Sequence, residues 1–119
     1  MPLRIEGLDV IRQKYPGFSL KDYPLLRSIR FDSDQFTPDS GTLALIFSAS
    51  NQQTLLKIQC TGVSKVDVSG ITAQTFISGI SIDDMSDHQL ERAKWHLFDC
   101  EGSKVQVYCD SIRIDLFDA

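Results

Sequence analysis

Residues 94–115 read KWHLFDCEGSKVQVYCDSIRID. Two runs of alternating apolar and polar residues flank Gly102-Ser103, the pattern of a β-hairpin. With Gly102 and Ser103 as the central residues of a tight turn, Cys100 falls opposite Val105 and Phe98 opposite Val107. Leu97 then faces Tyr108, His96 faces Cys109 and Trp95 faces Asp110. One face carries His96, Phe98, Cys100, Val105, Val107 and Cys109. The other carries Glu101 against Lys104 and Asp99 against Gln106, with Leu97 and Tyr108 further along. Collection of the apolar set on one side supports this register, and a longer turn would undo it. Beyond Cys109 the apolar positions continue at Ile112, Ile114 and Leu116. Inward residues three positions apart need one extra residue, which predicts a β-bulge at Asp110-Ser111.

This register ranks the chemistry available to the hairpin. Cys100 and Cys109 would lie roughly 13 Å apart along the ladder, beyond disulfide reach. His96 and Cys109 would be direct neighbours about 5 Å apart. Nucleophilic catalysis would also need an orienting group and access to substrate. On an apolar face the simpler reading is a buried thiol beside a satisfied histidine, so no catalytic residue is assigned. Zinc needs three or four closely spaced ligands, and Cys60 or His88 would have to arrive from elsewhere. The acids Asp32, Asp34 and Asp39, and then Asp83, Asp84, Asp87 and Glu91, do not follow calcium-loop spacing. They read as solvated loops, so neither metal nor cofactor is expected. Trp95 beside Leu97 and Tyr108, rimmed by Asp99, Glu101 and Asp110, reads as a protein-binding patch with an acidic border. The competing reading is that the sandwich or the N-terminal helix covers that end of the face.

Moving toward the N-terminus, the period of two persists. TFISGISID (75–83), VSKVDVSG (63–70), TLLKIQC (54–60) and TLALIFSAS (42–50) all alternate. LLRSIRFD (25–32) places Leu25, Ile29 and Phe31 together, although Arg27 interrupts the apolar face. DSDQFTPDSG (32–41) is a loop, and DMSDHQLERA (84–93) is a helical turn or a polar loop. Only GLDVIRQKYPG is helical, with Leu8, Ile11 and Tyr15 on one side and Pro16-Gly17 as the stop. The fold class expected is mainly β: an antiparallel β-sandwich or open barrel of about seven strands with a short N-terminal helix. Residues 1–119 are expected to form one globular domain, as the length of 119 residues suggests.

A hydrophobic content of 42% with 24% charged residues is that of a globular protein. The net charge of −4 and the scattering of the 12 Lys and Arg exclude a phosphate-binding stripe, hence no nucleic acid, and favour a basic partner. The longest apolar run, LALIF, is too short to cross a membrane, and charges at Arg4, Glu6 and Asp9 interrupt any signal-peptide core. Three cysteines, an odd number inside strand-like runs, suit free thiols in a reducing compartment, so a cytoplasmic location is expected.

Over Trp95 to Ile112 the pattern W-x-x-F-D-x-E-G-x-x-V-x-V-Y-C-x-S-I resembles the closing segment of small bacterial proteins of unknown function, some of which act as immunity proteins beside toxins. The resemblance implies a small β-rich cytoplasmic protein that binds and blocks another protein, and it assigns no catalytic residue. The leading expectation is therefore a non-enzymatic protein-binding domain, with an immunity-type inhibitor as its narrower form. The alternative is a small enzyme or ligand-binding β-barrel using His96 and Cys109. A third reading is a homodimer joined through strand edges.

Overall fold

The computed structural model describes residues 5–33, 41–49, 53–69, 80–84, 95–99 and 105–118. Within them the alternating segments form strands β1 (Leu25–Ser33), β2 (Gly41–Ser48), β3 (Thr54–Thr61), β4 (Lys65–Val68), β5 (Ile80–Asp84), β6 (Trp95–Asp99), β7 (Val105–Cys109) and β8 (Ser111–Asp118). They pair in two antiparallel sheets, ordered β1-β2-β3-β8 and β4-β7-β6-β5. The strands form a sandwich and do not close into a barrel.

Register explains the core. Across the first sheet the inward residues form three rows: Leu43, Cys60 and Ile112, with Phe31 exposed at the end of the row; Ile29, Leu45, Ile58 and Ile114; Leu26, Phe47, Leu56 and Leu116. The second sheet answers with Val66, Val107, Leu97 and Ile82, flanked by Trp95 and Cys109 on one side and by Val105 and Ile80 on the other. Most of these side chains are buried in one hydrophobic cluster. Burying a Leu, Ile, Val or Phe side chain contributes about 1.5–3 kcal/mol, so these rows dominate the stability.

The interruption at Arg27 is resolved by a register shift between Leu26 and Ser28. Arg27 is the extra residue, so Leu26 rather than the expected Leu25 joins Ile29 on the inward face. Arg27 Nε donates to the buried Ser48 Oγ at 2.9 Å, which anchors the irregularity.

The change of apolar parity after Cys109 has a different cause from the bulge expected at Asp110-Ser111. β7 belongs to the second sheet and β8 to the first, and Asp110 is the bend at which the chain changes sheets. Crossing the sandwich reverses which side of the strand is inside, so Cys109 and Ile112 both point into the core. The neighbouring strand turns the same corner at Gly62-Val63-Ser64, because Thr61 pairs with Ser111 while Lys65 pairs with Tyr108. Three residues there face only Cys109 and Asp110, so the extra residue lies on the β3–β4 side. Gly62 takes φ +66 to accommodate it. Asp110 N–H donates to Thr61 O at 3.0 Å and Ser64 N–H to Tyr108 O at 2.9 Å, joining the two bent strands.

The helix α1 (Leu8–Lys14) forms where the spacing predicted it, with Ile11 buried and Leu8 packed on the core. Tyr15, expected on the same side, lies past its end and is exposed. Glu6 makes one parallel bridge to Arg113 at the edge of β8, accepting from Ile114 N–H at 2.8 Å and donating to Ile112 O at 2.9 Å. Gly7 then turns the chain into the helix at φ +87, so close to β8 that a Cβ would collide with the Ile114 carbonyl oxygen. No described helix is long and apolar enough to cross a membrane.

Candidate functional site

The β6–β7 hairpin differs from its expected register by one residue. Trp95 pairs with Cys109, His96 with Tyr108, Leu97 with Val107 and Phe98 with Gln106. The parity of β7 is as expected, with Val105, Val107 and Cys109 inside. β6 is turned over. Trp95 (6% exposed) and Leu97 (0%) belong to the core, and His96 and Phe98 face away from it. The physical reason is the turn. Residues 100–104 separate the strands, and Asp99 Oδ1 accepts from Val105 N–H at 2.9 Å inside the buried end of the hairpin. An odd number of connecting residues inverts one strand relative to a two-residue turn, and burying Trp95 with Leu97 outweighs burying His96 with Phe98.

The patch read from the sequence is therefore dispersed. Trp95 and Leu97 are core residues and Asp99 is buried, while Glu101 lies outside the described residues. Asp110 is exposed at the corner, with its carboxylate close against Gly62. Tyr108 does face outward, and the inversion of β6 gives it different neighbours. Across the outer face of the second sheet runs the row Asp83, His96, Tyr108, Lys65, and beside it the row Ser81, Phe98, Gln106, Asp67.

His96 stacks on Tyr108 with ring centroids 4.4 Å apart and planes 5° from parallel, and on Phe98 at 4.7 Å and 25°. The three rings are half-buried, whereas Lys65, Asp67 and Asp83 are exposed around them. His96 Nε2 is buried without a hydrogen-bond partner among the described residues, so the imidazole is placed by stacking rather than through that nitrogen. The signal missed in the sequence is that both parities of WHLFD are partly apolar, leaving the turn as the arbiter.

His96 and Cys109 thus lie on opposite faces of the sheet, a correction to the expected adjacency. Cys109 instead neighbours Cys60 of the other sheet inside the core. Both thiols are free and fully buried. The neighbouring Cys60 thiol, followed by burial, pushes the Cys109 thiol well above its ordinary value, the reverse of what a thiolate nucleophile requires.

Of the acids considered for calcium, Asp32 pairs with Arg30 at 3.0 Å and Asp83 and Asp84 end β5. Asp34, Asp39, Asp87 and Glu91 lie outside the described residues, as does His88. A second surface feature is a groove between α1 and β8, where Val10, Tyr15 and Phe117 are exposed beside Lys14 and Arg113. Arg113 is held there by Asp115 at 3.1 Å and Glu6 at 3.3 Å. Comparison with protein-family models, curated proteins and solved structures finds no match to the chain.

Proposed function

We propose that the protein is a non-catalytic binding domain that holds a basic protein partner against the outer face of its second sheet. The stacked cluster Tyr108, His96 and Phe98, bordered by the exposed carboxylates of Asp67 and Asp83, carries this reading. Half-exposed rings already fixed by stacking offer apolar contact area at small entropic cost, and their faces attract guanidinium or ammonium groups. The surrounding carboxylates and the net charge of −4 attract basic side chains and repel phosphates. A protein rich in Arg or Lys matches both features, whereas a second copy of the chain would bring like charges together. An immunity-type inhibitor of a basic toxin is the narrower form of this reading, supported by the resemblance over Trp95 to Ile112. The alternative built on His96 and Cys109 lacks the adjacency its chemistry needs.

The test compares capture from a native lysate by the natural chain, by Phe98→Ser/Tyr108→Ser, and by Tyr15→Ser/Phe117→Ser, which alters the α1–β8 groove instead. The expected result is a stoichiometric basic protein retained by the natural chain and the groove variant, lost by the outer-face variant and released by salt. Loss confined to the groove variant, equal capture by all three, or no stoichiometric partner overturns the proposal.

A further inference from the structure

Cys60 and Cys109 come from different sheets, are fully buried in one core and are close enough for each thiol to act on the other. They precede two residues that are themselves bonded, Asp110 N–H to Thr61 O at 3.0 Å, so the backbones carrying them run side by side at the sandwich corner. The structure holds them as two free thiols. We propose that this pair is a latent cross-sheet disulfide, formed in the folded protein by exchange with a small-molecule disulfide of the glutathione type.

The exchange balances without any further reactant. One cysteine gives up its proton and its thiolate attacks a sulfur of the small disulfide, breaking that S–S bond and expelling one thiolate. The second cysteine, also deprotonated, attacks the mixed disulfide, forming the Cys60–Cys109 bond and expelling the other thiolate. The two protons end on the two released thiols, and two electrons pass from the protein to the small disulfide. Burial makes the first step slow, since the corner must open locally to admit the reagent. The second step is intramolecular, and reclosure returns the sulfurs to contact, from which they close to about 2.05 Å. The bond spans a long loop and ties the two sheets together, so it stabilises the native fold.

Trypsin separates the cysteines, with Cys60 in residues 58–65, Cys100 in 95–104 and Cys109 in 105–113. The reduced folded protein is incubated in mixtures of reduced and oxidised glutathione, quenched with acid, unfolded, alkylated and digested. Expected are peptide 58–65 linked to 105–113, peptide 95–104 alkylated at Cys100, and a melting temperature raised by roughly 10 °C. Absence of that cross-link, its formation only from unfolded chain, linkage through Cys100, or a melting temperature that fails to rise overturns the proposal.

Discussion

His96 and Tyr108 stand directly opposite each other across the β6–β7 ladder, their ring centroids 4.4 Å apart. This pair marks which side of β6 meets the core. With His96 outside, Trp95 and Leu97 must be inside, and Asp99 must be buried at the turn. One cross-strand contact therefore reports both the packing of the second sheet and the composition of its outer face.

The register predicts unequal costs for neighbouring substitutions in β6. Leu97→Ala opens a cavity among fully buried side chains and costs about 2–5 kcal/mol, and Trp95→Ala about 3–5 kcal/mol. His96→Ala removes stacking on the outer face and costs about 0.5–1.5 kcal/mol. Urea unfolding of the three variants checks this, and a larger loss for His96→Ala than for Leu97→Ala would contradict the observed pairing.

Asp99 closes the hairpin through its side chain. Asp99→Ala leaves the Val105 N–H without its acceptor and costs about 1–3 kcal/mol. Asp99→Asn keeps a carbonyl oxygen at the same position and is expected to lose less than half of that. Unfolding midpoints give the comparison, and faster amide exchange at Val105 in Asp99→Ala alone would locate the effect.

The strands are legible because TLALIFSA and TLLKIQC alternate, with Leu43, Leu45 and Phe47 on one parity of the first and Leu56, Ile58 and Cys60 on one parity of the second, which favours burial of that face. β6 was not legible in the same way, because Trp95 and Leu97 compete with Phe98 for the inside, and the decision falls to an Asp side chain in a connection longer than a tight turn. The interruption at Arg27 and the change of parity after Cys109 are both visible in the sequence, but one strand read alone does not distinguish a local bulge from a change of sheet. Pairing distinguishes them: β1 keeps its partner through the break, whereas β7 and β8 have different partners. The aromatic patch depends on the same register: with β6 inverted, Tyr108 keeps its outward place and His96 and Phe98 stand there instead of Trp95 and Leu97.

Gly7 and Gly62 are each required by a left-handed backbone, whereas Gly17 is not. Gly7→Ala must hold φ +87 and would drive its Cβ into the Ile114 carbonyl, and Gly62→Ala must hold φ +66 against the Asp110 side chain. A left-handed conformation alone costs a non-glycine residue about 1–2 kcal/mol. A Cβ at Gly17 meets nothing within 4 Å, so Gly17→Ala is expected to be neutral or to stabilise by about 0.4–1 kcal/mol through the unfolded chain. Thermal unfolding should rank Gly17→Ala above the natural protein and both other variants below it.

The buried thiol of Cys109 links stability to alkaline pH. Its value is raised in the fold, so the native state keeps a proton that the unfolded chain releases above about pH 8.5. The associated stability is fully present below that pH and declines as the pH rises through it, by at most about 1.4 kcal/mol per pH unit. Urea unfolding under a phosphine reductant at pH 7, 8.5 and 10 should show this decline in the natural protein and a shallower one in Cys109→Ala. Equal slopes would mean that the thiol does not differ between the two states.

The acidic border of the outer face should act on the rate of association more than on the life of the complex. Asp67 and Asp83 are exposed at opposite sides of the ring cluster, where charge steers a basic partner but contributes little once contact is made. Asp67→Lys/Asp83→Lys is therefore expected to slow binding of the captured partner roughly 10-fold at low salt, with the dissociation rate nearly unchanged. Tyr108→Ser should do the reverse, speeding dissociation with little effect on association, because it removes contact area from the centre of the patch. Surface plasmon resonance at two salt concentrations separates these outcomes. An association rate that ignores both the charge reversal and the salt would assign the partner to another surface, the α1–β8 groove first.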